Sequence, residues 1–321
     1  MHQTIDDFAA FLRLEGRETT AIGYRRCLRF YDDWMHSQNL DPLHVTTEQI
    51  RAYQRWLAEV YRSPDGEKLG RGSQATRLAV VKSYYAWLER RGLIIRDVSK
   101  AVKIPRIPGG MVRHDSLTKQ EATAVLQTQA THAQQFREGS YRWAREVQTL
   151  AILCTALATG RRRTGLRNLK VAWVNFERNE IRYERDKSKP GRVLPVIPWC
   201  MSILKTHIER GRPILDWHAG NDHLFVGADT PRMGNNSISE VFEQAFQRAI
   251  VGNPDLTELA AKRITPHAYR VSYATLLFEG GCNIRSVNEL MSHESLSQTA
   301  RYVPIPIESM RRICRTTHPR A

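Results

Sequence analysis

The chain has 321 residues, a length that suggests two domains, and its 48 Lys and Arg against 33 Asp and Glu leave a formal charge of +15. With 41% hydrophobic residues it is too apolar for a disordered polyelectrolyte. It contains no apolar run of about 18 residues that would cross a membrane as a helix. The opening MHQTIDDFAAF lacks a basic stretch followed by an apolar one, so a cytoplasmic location is expected. The five cysteines, Cys27, Cys154, Cys200, Cys282 and Cys314, are odd in number and contain no Cys-x-x-Cys pair. They read as reduced thiols rather than a disulfide framework or a structural zinc site. The charge is spread along the chain, with residues 1–110 at +5 and the remainder at +10. A polyanion is the expected partner, although charge alone leaves a merely basic surface open.

The first hundred residues read as helices. Thr4, followed by Asp7, is placed as a cap before Ile5, Phe8, Phe11 and Leu12. A second helix covers about 19–37 with Tyr24, Leu28, Tyr31 and Met35 on one face. A third starts at Thr46 or Thr47 and carries Ile50, Tyr53, Leu57 and Val60, and a fourth starts at Ser73 and carries Leu78, Val81, Tyr85 and Leu88. A Gly- and Asp-rich loop, 62–73, separates the last two. The aromatics fall on the apolar stripes, so they are expected in the core rather than as base-stacking platforms. Residues 103–113, KIPRIPGGMVR, cannot form regular helix and read as a basic linker. The expected domains are a helical bundle over 1–103, a linker over 104–115 and a second domain over 116–321.

The second domain opens with Leu117 as a staple and a Thr118–Glu121 capping box. An apolar helix is expected over 146–158. Strand character appears only at 172–176, 180–183 and 192–196, and helices follow at about 199–210, 237–249, 266–279, 284–291 and 305–314. The fold class expected is mainly α with a small antiparallel sheet. No P-loop, dinucleotide-binding glycine motif or His-Glu-x-x-His is present, and no compact carboxylate cluster suggests a two-metal nuclease. No cofactor or metal is expected. A basic enzyme of this kind that acts on phosphodiesters must use another route, one type of which is a side-chain nucleophile with cationic assistance.

The C-terminal region supplies both in a fixed order: His267 and Arg270 in an H-x-x-R, then His293, then Tyr302 nine residues later. This resembles the tyrosine recombinase (phage integrase) family, whose signature has that order and spacing. The filler agrees at Ala274 to Leu277, at Gly280 and Gly281, and from His293 to Thr299. Upstream, Ala158 to Arg162 and the hairpin that follows resemble the family's first-arginine box. The tetrapeptide Thr164 to Arg167 looks closer to the usual T-G-L-R, but an arginine at 167 would leave Leu169 and the hairpin out of step. Arg162 is therefore chosen. Lys187 takes the position of the family's hairpin lysine, with Lys189 as fallback.

The resemblance implies an N-terminal core-binding bundle, a catalytic domain, and site residues Arg162, Lys187, His267, Arg270, His293 and Tyr302. It implies a site-specific recombinase of double-stranded DNA that cuts through a 3′-phosphotyrosyl link and works as a homotetramer on two sites, with accessory or partner proteins possible and no membrane. Its C-terminal helix, with Ile307, Met310 and Ile313 on one stripe, would dock on a neighbouring subunit. Mobile-element integration or excision and dimer or cointegrate resolution both remain open. A type IB topoisomerase-like relaxase and a non-catalytic DNA-binding regulator are the alternatives. Three departures stand out: Gly165 where the family usually carries an acid, Val271 where His is frequent, and Ser292 where Gly usually precedes the second histidine.

Overall fold

The structure is a computed structural model that describes residues 2–105, 115–183, 191–262 and 264–291. The chain divides into two units, 1–110 and 111–321.

Unit one is built from α1 (Gln3–Leu14), α2 (Glu18–Ser37), α3 (Thr47–Glu59) and α4 (Arg71–Arg90). Thr4 does not cap α1. His2 does, its ring accepting from the Thr4 N–H, while Thr4 lies inside the helix, buried, with its hydroxyl bonded to that of Tyr84. A buried phenol partner thus decides the residue's role over local capping preference. α3 carries the full Thr46–Gln49 capping box. α4 begins two residues before Ser73, on Gly70.

The aromatics of this unit are core. Tyr31, Tyr53, Tyr84 and Tyr85 are fully buried, Tyr31 and Tyr85 share a hydroxyl–hydroxyl bond of 2.8 Å, and Tyr85 donates to the Pro42 carbonyl at 3.2 Å. Burial pushes the Tyr31 and Tyr85 phenols well above their usual range, so they stay neutral donors. At the end of the unit, Lys82 Nζ gathers the carbonyls of Ser99, Lys100 and Val102 at 2.7, 3.1 and 2.7 Å. This closes the bundle where the chain turns toward residue 103.

Unit two begins with α5 (Lys119–Gln134), capped by the Thr118–Glu121 box. Glu121 also holds Lys262 at 2.7 Å. α6 (Tyr141–Thr159) is the central helix: every residue from Val147 to Ala156 is buried, so apolar neighbours enclose it all round. After α7 (Arg163–Arg167) come β1 (Val174–Asn175), β2 (Glu180–Tyr183) and β3 (Arg192–Pro195). They form an antiparallel sheet in the order β1-β2-β3, with Val174 opposite Ile181 and Ile181 opposite Leu194. The first strand is shorter than the 172–176 expected. The backbone just before it pairs elsewhere, Val171 N–H with the Asp222 carbonyl at 2.9 Å and Leu224 N–H with the Leu169 carbonyl at 2.8 Å. Residues 171–173 then form a 3₁₀ turn.

The helix expected over 199–210 is α8 (Pro198–Thr206), continued by a π-type turn (His207–Gly211) and α9 (Arg212–Leu215). At the junction His207 is fully buried, its Nε2 donating to the Leu224 carbonyl at 3.0 Å and its ring 5.7 Å from that of Phe225. Burial lowers its pKa to about 4. The unfolded chain therefore takes up a proton near pH 6.5 that the folded chain refuses until about pH 4. Stability is fully present above the unfolded value and declines as pH falls through this window. Thermal midpoints measured from pH 7 to pH 4 should drop more steeply for the wild type than for His207→Gln; parallel slopes would refute this.

The chain ends, among the described residues, with α10 (Asn235–Gly252), α11 (Thr257–Ala260), α12 (Pro266–Glu279) and α13 (Ile284–Met291). The fold is mainly α with one small antiparallel sheet, as the sequence led one to expect. No described helix is long and apolar enough to cross a membrane. The expected helix at 305–314 lies outside the described residues.

Candidate active site

The site grows from the end of α6. The helix stops at Gly160, whose φ of +58° and ψ of 22° place it in the left-handed region that favours glycine. A side chain there would be blocked as well as strained, because an added Cβ would stand 2.2 Å from the Tyr273 ring. Two residues beyond this turn comes Arg162, the N-cap of α7, in extended backbone with φ −64° and ψ 154°.

The run of three arginines is distributed by this geometry. Arg161 lays its guanidinium 3.8 Å over the ring of Tyr183 at the end of β2. Burial there lowers its pKa from the usual arginine value. Arg162 is exposed and opens into a cleft of about 490 Å³ that His267 and Arg270 also line. Arg163 reaches the same cleft and donates to Ser239 Oγ on α10 at 2.8 Å. Arg167 points away, its Nε donating to the Met233 carbonyl at 3.1 Å.

α12 supplies the other two groups. Thr265 caps the helix and Pro266 opens it, which puts His267 in the first turn, exposed. Arg270, one turn on, is only 2% exposed. Its Nη1 donates to the Gly160 carbonyl at 2.5 Å and its Nη2 to the Met291 carbonyl at 2.7 Å. One guanidinium thus joins the end of α6, two residues before Arg162, to the end of α13, two residues before His293. The sheet is tied in beside it, Arg192 Nη1 donating to the Glu289 carbonyl at 2.6 Å.

Of the six residues singled out in the sequence, the structure brings Arg162, His267 and Arg270 to one cleft. Lys187, with its fallback Lys189, and His293 and Tyr302 lie outside the described residues. Gly165 leaves an opening: a Cβ there would meet nothing nearer than Arg161 Cβ at 3.6 Å, an ordinary contact. The sequence reading did not foresee Ser239 and Glu243 of α10 in the cleft, nor the packing of Tyr273 on Gly160. None of these carries a local motif. A cleft walled by guanidinium forks and an exposed imidazole is suited to a phosphodiester, with bidentate donors for its oxygens and a ring able to take or give a proton.

The sequence profile of the phage integrase family matches residues 115–306, and that of the phage integrase N-terminal SAM-like domain matches residues 5–92. The chain is 24% identical over 326 residues to tyrosine recombinase XerC of Oceanobacillus iheyensis, covering 99% of this chain and 96% of that protein. It is 29% identical over 307 residues to tyrosine recombinase XerD of Corynebacterium glutamicum, covering 94% and 92%. Among solved structures, the Tn1549 transposon integrase in complex with transposon right end DNA is similar with a TM-score of 0.69 at 16% identity, covering 98% of this chain and 99% of that one. The XerH site-specific recombinase bound to its difH substrate, a pre-cleavage complex, is similar with a TM-score of 0.67 at 14% identity, covering 92% and 79%. These structural likenesses show the fold.

Proposed function

Because the chain belongs to the phage integrase family, we propose that it is a site-specific tyrosine recombinase that cuts and rejoins double-stranded DNA through a 3′-phosphotyrosyl intermediate. The observation that carries this reading is the convergence of Arg162, His267 and Arg270 on one cleft in a chain of that family. The division of labour proposed is a DNA-binding bundle over 1–103, a linker over 104–115 and a catalytic domain over 116–321.

The chemistry follows from the residue types. The phenolic oxygen of Tyr302 attacks the phosphorus while the 5′-oxygen leaves, so the bond energy is kept in the phosphotyrosyl link and no nucleotide is consumed. Charge grows on the non-bridging oxygens, where Arg162 and Arg270 place preorganised N–H donors. Arg270 is held in place by two main-chain carbonyls, and each of the bonded nitrogens carries a second N–H. His267 takes the tyrosine proton, Lys187 gives a proton to the leaving 5′-oxygen, and His293 hydrogen-bonds the phosphate. Attack by a 5′-hydroxyl of a second duplex reverses the steps and exchanges the strands. Exchange needs two duplexes, which fits a homotetramer with the 305–314 helix docked between subunits. Both mobile-element integration or excision and dimer or cointegrate resolution are compatible with this chemistry.

A nicked suicide duplex from the flanking DNA tests the reading. The wild type should form a covalent protein–DNA complex and Tyr302→Phe should form none. A complex that survives in Tyr302→Phe refutes the nucleophile. Relaxation of supercoils without strand exchange would favour a relaxase.

A further inference from the structure

A second group of cations lies one helical turn from the cleft, on the seam between α7 and α10. Arg163 and Arg167 stand four apart on α7, on one face of the helix and about 6 Å apart along its axis. Arg163 lines the cleft and bonds Ser239 of α10, while Arg167 bonds the carbonyl of Met233, just before α10. Next to Met233, Arg232 reaches back: its Nη1 donates at 3.0 Å to Oδ1 of Asn168, the residue after Arg167. Each arginine is thus tied to the chain neighbour of the other, which fixes both side chains and draws them together.

Neither tie neutralises a charge. A carbonyl accepts from Arg167 and a side-chain amide oxygen from Arg232, and among the described residues neither arginine has an ion-pair partner. Lys170 and His223, joined by a backbone bridge, belong to the same group. His223 registers the field: burial first, and then Arg232, Lys170 and Arg167, lower its pKa, with Asp222 opposing. Burial and then Arg232 likewise lower the pKa of Arg167. Asp222, the carboxylate acting on His223, is engaged by Lys170 at 2.8 Å. Like charges held this close repel each other in the free protein, and an anion that accepts from both guanidinia offsets that repulsion.

We propose that Arg167 and Arg232 form a phosphate site of their own, outside the catalytic cleft, which takes a backbone phosphodiester of the bound duplex next to the scissile one. The proposal rests on the recombinase reading above, which puts the scissile phosphate in the cleft. Both guanidinia are half-buried, and each keeps N–H groups beyond the one already bonded, so together they offer forks to the phosphate oxygens. The position one turn along α7 makes this phosphate a neighbour of the scissile one on the same strand. A phosphate contact carries no base information, so the site sets affinity and register rather than sequence preference.

The test is equilibrium binding of a duplex from the flanking DNA, measured from about 50 to 200 mM salt. The double variant Arg167→Gln/Arg232→Gln should bind about tenfold more weakly. Its slope of log affinity against log salt should be shallower by about one, the count for one phosphate. The loss should be equal on an unrelated duplex, and Arg167→Lys/Arg232→Lys, which keeps both charges, should keep the slope. Uncharged methylphosphonates placed singly beside the scissile phosphate locate the contact: one position should weaken the wild type and leave the glutamine variant unaffected. The thermal midpoint of the free glutamine variant should equal or exceed that of the wild type, because the repulsion is gone. An unchanged slope overturns the proposal alone, as does a methylphosphonate series that weakens both proteins equally at every position. A lowered midpoint with wild-type affinity reduces the pair to a structural tie and overturns it too. Failure of the wild type to bind any duplex overturns the recombinase reading and this proposal with it.

Discussion

Arg270→Lys should reduce covalent-complex formation on a nicked duplex by about 10²–10³-fold, the usual cost of removing a preorganised donor from a developing oxyanion, while leaving duplex binding nearly intact. The guanidinium is planar and forked. Two of its nitrogens are anchored on the carbonyls of Gly160 and Met291, at 2.5 and 2.7 Å, so its orientation does not depend on substrate. A lysine ammonium at the same buried position is a single point of charge. It can reach one carbonyl or the phosphate, not a fixed array of all three. The segments that Arg270 joins are those just before Arg162 and His293, so the substitution should also loosen both. Gel shifts and single-turnover cleavage separate the two effects. A rate within about threefold of wild type, well inside that expected loss, would show that Arg270 is only a structural tie.

Gly160→Ala should destabilise the catalytic unit by about 3 kcal/mol, the sum of left-handed strain for a non-glycine residue and overpacking of a close contact. Gly160 sits at φ +58°, and an added Cβ would lie 2.2, 2.8 and 2.9 Å from three atoms of the Tyr273 ring. The ring cannot step aside freely because Tyr273 is buried, at 8% exposure, in a cluster with Ala274, Val287 and Met291. The backbone must move instead, and it carries the carbonyl that holds Arg270. Urea unfolding gives the stability loss directly, and cleavage measured on the folded fraction should fall with it. A midpoint equal to wild type would show that the turn can be rebuilt without strain.

Much of this chain was legible from spacing. The helices of the first unit were readable because apolar residues recur at three and four, and the burial of Leu28, Tyr31, Met35, Tyr53 and Tyr85 follows that period. α6 was readable as a largely apolar stretch over 146–158. Errors fell at the ends of elements, where a partner distant in sequence decides. Thr4 lost its capping role to a hydroxyl 80 residues away, and residues 172 and 173, expected in the first strand, belong instead to a 3₁₀ turn next to Val171, which pairs with Asp222.

The same division runs through the site. The sequence by itself determined the order of the candidate groups and the basic charge over both halves of the chain, while the preference for Arg162 over Arg167 came from the family resemblance, through the spacing to Leu169. Only the tertiary structure decided what each arginine of the 161–163 run does. Arg161 goes to Tyr183 and Arg162 to the cleft. That division is set where α6 ends, by a left-handed glycine held under a tyrosine ring. The tertiary structure alone also brought Arg270 onto a carbonyl 110 residues away and Glu243 into the cleft. No local pattern encodes such pairings, because they exist only after α6, α10 and α12 have packed against one another.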